Sequence, residues 1–185
     1  MSGRFIAVVG PSGVGKDSVL TALAARAPQL SLVRRVITRP ETAGGEDFEG
    51  VSEPEFLRRR DAGAFALCWQ AHGLHYGIPV SVDAALAGGR DQLANLSRGV
   101  LQRAEARFSQ VTIIALSASR EVLARRLALR GRECVDEISR RLERSTAVLP
   151  GGLDVHRIDN SGPLTDTVVS VLSLLYPDQI HVSAK

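Results

Sequence analysis

A five-residue apolar run, Phe5-Ile-Ala-Val-Val9, stops at a glycine, and the next six residues, Pro11-Ser-Gly-Val-Gly-Lys16, add two more glycines and a lysine. An apolar run of this kind reads as a buried strand. The segment from Gly15 to about Ala27 reads as a helix, with Val19, Leu20 and Leu23 on one side and Pro28 closing it. Strand, glycine-rich turn and helix start together make a cradle for phosphate. Glycines at 10, 13 and 15 let the backbone wrap closely and turn successive N–H groups inward. The helix adds the positive end of its dipole, and Lys16 would reach the terminal phosphates. Gly10, Pro11, Ser12, Gly13, Val14, Gly15, Lys16 and Ser18 are therefore expected to bind ATP.

One position departs from the usual pattern. Ser or Thr is expected after the lysine as a magnesium ligand, and Asp17 stands there, followed by Ser18. Two readings stand. A carboxylate is a hard oxygen ligand suited to Mg²⁺, directly or through a water. Equally, an acidic residue is favourable in the first turn of any helix.

Composition narrows the partners. Apart from Lys185, the only lysine is Lys16, so position 16 calls for a compact ammonium rather than a planar guanidinium. Net charge is +3 and aromatics are 4%, with no polybasic run beyond Arg58-Arg59-Arg60, which favours small anionic substrates over nucleic acid. No stretch approaches the roughly 20 apolar residues that span a bilayer, and no secretory signal precedes the first strand. Cys68 and Cys134 form neither a disulfide framework nor a metal site. The cytoplasm is the expected compartment.

Further strands are expected at Leu32–Ile37, Gln92–Leu96, Val111–Leu116 and Val155–Ile158, with extended, aromatic-rich segments over Phe65–Tyr76. Ser52-Glu-Pro-Glu55 has capping-box spacing for a helix to about Ala62. Helices are expected from Arg98 to about Phe108, Arg120–Arg130, Glu137–Val148 and Leu164–Leu175. The alternation implies an α/β fold, a parallel sheet with helices on both faces, in one domain over 1–185. The core takes 1–34 and 91–185, with an acceptor-binding subdomain at about 35–90 and a lid at about 130–142.

Gly10-Pro-Ser-Gly-Val-Gly-Lys16 resembles the loop of the guanylate-kinase-like P-loop kinases, and the resemblance runs along nearly the whole chain. Thr38-Arg39-Pro40 with Gly45-Glu46 resembles the start of their acceptor-phosphate segment, and Tyr76-Gly77 their phosphate-binding Tyr-Gly. Arg130-Gly131 and Arg141 resemble lid arginines, and Ile158-Asp159-Asn160 the segment that contacts adenine. The guanine-reading acids do not carry over. Leu67 stands where a Glu is expected, the strand end Ala94-Asn95-Leu96-Ser97 has no Asp, and Glu41-Thr-Ala-Gly-Gly replaces a second arginine. A pocket without those carboxylates cannot accept hydrogen bonds from guanine, which argues against GMP.

The ribose 1,5-bisphosphate phosphokinases, a guanylate-kinase-like family, are resembled more closely. The shared features are Gly15-Lys16-Asp17-Ser18, Ile37-Thr38-Arg39, Trp69-x-Ala-x-Gly-Leu74-x-Tyr76-Gly77, Asn95-x-Ser97-Arg98 and Arg130-Gly-Arg132-Glu133. The resemblance implies transfer of phosphoryl from ATP, with Mg²⁺, to a sugar 1-phosphate, giving 5-phosphoribosyl 1-diphosphate. It needs no general base, because the nucleophile is already an anion. Arg39 and Tyr76 would hold acceptor phosphate, with Arg34 or Arg35 assisting or merely edging a solvated strand. Glu46, Asn95, Ser97 and Arg98 complete the substrate set. Lys16, Arg130, Arg132 and Arg141 would act on the transferring group, Asn160 would contact the nucleotide and Asp17 the metal. Trp69 is weighed as packing first. His72 and His75 flank the acceptor pocket, as sugar contacts or as ordinary histidines. Partners are ATP and a small sugar phosphate, with a homodimer an option. The alternatives are a kinase of another phosphorylated acceptor, such as a nucleoside monophosphate, and a non-catalytic binding module. The module is opposed by the retained Lys16, Arg130 and Arg141.

Overall fold

The computed structural model describes residues 2–43, 45–129 and 149–178. The expected helix at Glu137–Val148, the lid positions Arg130, Gly131, Arg132 and Arg141, and Cys134 lie outside the described residues. The strands are β1 (Phe5–Val9), β2 (Leu30–Leu32), β3 (Arg35–Ile37), β4 (Phe48–Gly50), β5 (Phe65–Ala71), β6 (Leu74–Pro79), β7 (Asp91–Asn95), β8 (Val111–Ser117) and β9 (Val155–Asp159). The helices are α1 (Lys16–Arg26), α2 (Glu53–Asp61), α3 (Ser81–Ala87), α4 (Leu101–Arg107), α5 (Arg120–Leu129) and α6 (Leu164–Leu175). Among the described residues no helix is long and apolar enough to cross a membrane.

Five strands form one parallel sheet in the order β2-β7-β1-β8-β9. All five residues of the central strand β1 are buried, which is why its sequence is a continuous apolar run rather than an alternation. Ile6 and Val8 pack toward α1, α5 and α6, against Val19, Leu20, Leu23, Leu123, Leu127, Val168 and Val171. Phe5, Ala7 and Val9 point the other way, toward Leu101, Ala104, Trp69 and Ile78. Burying a side chain of Leu or Ile size contributes about 1.5–3 kcal/mol, so the three apolar residues of α1 suffice to fix its face. The expected α/β architecture is borne out.

A second, four-stranded sheet has the order β4-β3-β6-β5 and carries Arg35 and Tyr76. Here the single strand expected over Leu32–Ile37 is corrected. Val33 N–H still bonds Leu93 O in the parallel sheet at 2.8 Å, but the chain then crosses at exposed Arg34. Arg35–Ile37 joins the other sheet, parallel to β4 and antiparallel to β6. The extended segments over Phe65–Tyr76 resolve into the hairpin β5–β6, turning at His72 (φ 53°) and Gly73 (φ 74°). Two successive positive φ values match the twist of the flanking strands, and glycine meets the second at no steric cost. The helix expected from Arg98 begins as a 3-10 turn over Arg98–Val100 before α4. Strand β4 and helix α3 were not expected; both are short.

Helix α2 starts as the capping spacing predicts, Ser52 accepting from Glu55 N–H at 3.4 Å. The Glu55 carboxylate turns instead to Arg58 and Arg59. At the end of the parallel sheet away from Gly10, Asp91 accepts from Arg4 N, the Arg4 guanidinium and the Tyr176 hydroxyl, each at 2.7 Å. This ties the start of β1 to the residue after α6. Burial alone would raise the Asp91 carboxyl, but these donors hold it below its usual value.

Candidate active site

The loop after β1 turns into α1 at Gly15, whose φ of 94° suits glycine and whose missing side chain matters twice. A Cβ there would lie 2.9 Å from Asn160 Nδ2. That amide is the support of the loop: Asn160 is buried and donates to Val14 O at 2.7 Å, while its own oxygen accepts from Thr167 at 2.7 Å. Arg126 of α5 donates to the same Val14 carbonyl at 3.1 Å. With this carbonyl held by two donors, the Gly15 end of the peptide is fixed. The Val14 side chain is fully buried in the core, so Val14 can serve the loop only through its backbone.

Lys16 lies over the loop, its ammonium donating to Gly10 O at 2.8 Å and Pro11 O at 3.2 Å. Burial lowers its pKa to about 8; the Asp17 carboxylate opposes that shift and the guanidiniums of Arg35 and Arg98 add to it. A cation so destabilised gains from a polyanion brought next to it.

One cleft of about 640 Å³ runs from the loop to the second sheet. Gly10, Pro11, Ser12, Gly13, Gly15, Lys16 and Asp17 line its loop side; Arg35, Arg39, Glu46, Tyr76, Asn95, Ser97 and Arg98 line the opposite side. Expected residues from four segments thus meet in one space. A hollow of about 320 Å³ adjoins the loop at Gly13 and Gly15, and Ser18, Arg126, Leu129, Asn160 and Leu164 complete it. Leu129 and Leu164 are exposed there, so the hollow has an apolar rim.

The wall opposite the loop is built around Arg35. It is 7% exposed, bonded to Glu46, and its guanidinium carbon stands 5.2 Å from the centre of the Tyr76 ring and 5.9 Å from that of Trp69. Trp69 and Tyr76 stack at 5.3 Å with 10° between their planes, and Trp69 Nε1 donates to Ser97 Oγ at 2.9 Å. Trp69 is buried packing with its one polar atom used on a cleft residue. The Arg39 guanidinium lies 4.4 Å over the Phe48 ring. Burial lowers the Arg98 pKa, which leaves an arginine charged nonetheless. Asn95 Nδ2 spans the cleft floor, 3.3 Å from Asp17 Oδ1 and 3.4 Å from Glu46 Oε2.

Several sequence expectations are sharpened. Leu67 sits in the core opposite Ile78 and does not line the cleft, whereas Leu96 does. The cleft contains two carboxylates, those of Glu46 and Asp17, both at positions the sequence reading had placed there. His75 is engaged, its N–H bonding Thr38 Oγ1 at 2.8 Å and its ring 3.1 Å from Glu53, while His72 stands at the cleft rim. Arg126 was missed. The arginines of its helix read as set apart from the apolar stripe, yet Arg126 immediately precedes buried Leu127, a spacing that puts it on the stripe's flank.

A strand–loop–helix phosphate cradle at the end of the central strand of a parallel sheet, opening on a cleft walled by buried arginine and half-buried tyrosine, defines a P-loop kinase of the guanylate-kinase-like fold. The guanylate kinase of Anaplasma phagocytophilum superposes with a TM-score of 0.70 at 22% identity, covering 97% of this chain and 87% of that one. No family model matches. The chain is 49% identical over 178 residues to ribose 1,5-bisphosphate phosphokinase PhnN of Ruegeria sp. (strain TM1040), spanning 96% of this chain and 94% of that protein. It is 46% identical over 173 residues to the protein of the same name from Agrobacterium fabrum, spanning 92% and 94%. The chain belongs to the ribose 1,5-bisphosphate phosphokinase family, and the resemblance read from its motifs is borne out.

Proposed function

We propose that this kinase transfers the γ-phosphoryl group of ATP to the 1-phosphate of ribose 1,5-bisphosphate, giving 5-phosphoribosyl 1-diphosphate and ADP. The single observation that carries the reading is the cleft that joins the phosphate loop to a wall of arginine, tyrosine, amide and hydroxyl groups. An oxygen of the 1-phosphate attacks the γ-phosphorus, and the bond to the β-bridging oxygen breaks as ADP leaves. The nucleophile carries its own negative charge, so what the protein supplies is alignment and charge neutralisation.

The loop amides and Lys16 hold the β- and γ-phosphates, and the hollow beside Ser18, Arg126 and Leu164 takes the nucleoside. Arg39 and Tyr76 hold the receiving 1-phosphate, while Arg35 and Arg98 face the 5-phosphate. Asn160 acts through Val14, beneath the nucleotide. Arg130, Arg132 and Arg141 remain the choice for charge on the transferring group. Asp17 offers one hard oxygen site at the loop, and among the described residues no three acidic, histidine or cysteine side chains group to bind a metal by themselves. That suits Mg²⁺, which takes one or two carboxylates together with substrate phosphates. When bound it would neutralise charge between the phosphates, with Asp17 as its protein contact. Work in the cytoplasm accords with an ATP-dependent reaction on a small metabolite.

The test supplies ATP and Mg²⁺ with ribose 1,5-bisphosphate, ribose 5-phosphate or GMP and follows ADP. Turnover confined to the bisphosphate is expected; turnover with GMP alone would refute the acceptor assignment.

A further inference from the structure

Glu46 is an anomaly in its surroundings. The cleft collects cations to receive phosphates, yet this carboxylate faces into it with its side chain 11% exposed. A carboxylate only accepts hydrogen bonds, so it repels phosphate and requires a donor on whatever lies against it. Its position is fixed from two sides: Oε1 is bonded by Arg35 Nη2, and Oε2 is approached by Asn95 Nδ2 at 3.4 Å. Two oxygens offer about four lone-pair sites, and these contacts use two. Arg35 is in turn held against the Trp69 and Tyr76 rings, so the carboxylate cannot swing away without breaking a buried ion pair.

The acceptor proposed above is a dianion at each end, and its only hydrogen-bond donors are the sugar 2- and 3-hydroxyls. Asn95 links Glu46 to Asp17 at the phosphate loop, so the carboxylate lies between the loop and the acceptor sheet, where the sugar ring must pass. We infer that Glu46 accepts hydrogen bonds from the ribose hydroxyls and thereby makes the enzyme discriminate ribose from 2-deoxyribose bisphosphate. This rests on the acceptor reading and adds a specificity residue to it. Loss of the 2-hydroxyl leaves a buried charge facing carbon, which is how polar sites reject analogues that lack one group. The competing account gives Glu46 one task, neutralising Arg35.

The two accounts separate in a comparison of kcat/KM for ribose 1,5-bisphosphate and 2-deoxyribose 1,5-bisphosphate, in the wild type and in Glu46→Gln. The glutamine keeps a carbonyl oxygen for Arg35 but gives up the charge and one acceptor. The wild type is expected to favour the ribose ester by at least about 100-fold, and the variant to narrow that ratio to below about 10-fold. The KM for ATP should stay close to wild type. Wild-type indifference to the 2-hydroxyl overturns the inference without any variant, and so does a Glu46→Gln enzyme that loses activity equally on both esters. Turnover of the ribose ester without discrimination leaves the proposed reaction standing, whereas no turnover of it overturns both.

Discussion

Replacing Asn160 by alanine is expected to loosen the phosphate loop from below. The side chain is 3% exposed and makes two bonds of 2.7 Å, one given to Val14 O and one taken from Thr167. Each buried neutral hydrogen bond is worth about 1 kcal/mol net, and a partner left unsatisfied costs about 1–3 kcal/mol. Two contacts soften the loss: Arg126 still donates to Val14 O at 3.1 Å, and the Thr167 hydroxyl also reaches Asp159 O at 3.3 Å. The net cost is therefore about 2–3 kcal/mol, which for a domain of this size lowers Tm by roughly 5–10 °C. The functional effect has a separate cause. Gly15 carries no side chain to restrain its peptide, so a Val14 carbonyl freed of one donor lets the loop amides rotate away from phosphate. A drop of about 10- to 100-fold in ATP affinity is expected, with acceptor affinity retained. Thermal melts with and without ATP, together with titration calorimetry, read both quantities. A variant that melts within 1 °C of wild type (about 0.3–0.5 kcal/mol) and binds ATP normally would refute the support role.

Lys16 in the free enzyme has its pKa near 8, and bound polyphosphate restores the charged form. ATP affinity is therefore expected to fall as pH rises through about 8, and binding at that pH to take up a proton; heats independent of the buffer's ionisation enthalpy would contradict this. Lys16→Ala should abolish transfer while leaving Tm equal or higher, since it removes a desolvated charge; normal turnover in that variant would sink the loop assignment. Asp91→Ala removes the acceptor of the Tyr176 hydroxyl and of Arg4 N, leaving the Arg4 guanidinium only the Leu175 carbonyl, and is expected to cost about 3 kcal/mol, lowering Tm by roughly 6–12 °C without changing turnover. Because the folded Asp91 pKa is depressed, its contribution is present above the unfolded value of 3.8 and lost as pH falls through the folded one. Wild type and variant should thus converge in strong acid, and a constant gap in Tm down to pH 2 (about two units below an ordinary Asp) would contradict the cluster's role.

The central strand, the loop and the packed face of α1 were legible because each is a local pattern: a continuous apolar run, glycines at fixed offsets, and Val19, Leu20 and Leu23 at helical spacing. What escaped the sequence depends on contacts between distant segments. Leu32 and Arg35–Ile37 read as one strand because only the partners, Leu93 for Leu32 and Tyr76 for Ile37, separate them into two sheets. Strand β4, three residues long, has no period to read. The cleft brings fourteen of the expected positions together on its wall. Their pairing was not visible: nothing local ties Glu46 to Arg35, or Asn160 to a carbonyl 146 residues away. Asn160 was read as a nucleotide contact from the resemblance carried by Ile158-Asp159-Asn160, and the bond from its amide to Val14 O was not foreseen.

The most direct test of the account follows the phosphorus atoms themselves. With enzyme, ATP, Mg²⁺ and ribose 1,5-bisphosphate, ³¹P NMR should show the C1 phosphate monoester signal replaced by the two coupled signals of a diphosphate on C1, one for each ADP formed, while the C5 phosphate stays unchanged. ADP accumulating with free phosphate alone, or a new phosphate ester elsewhere on the sugar, would contradict it.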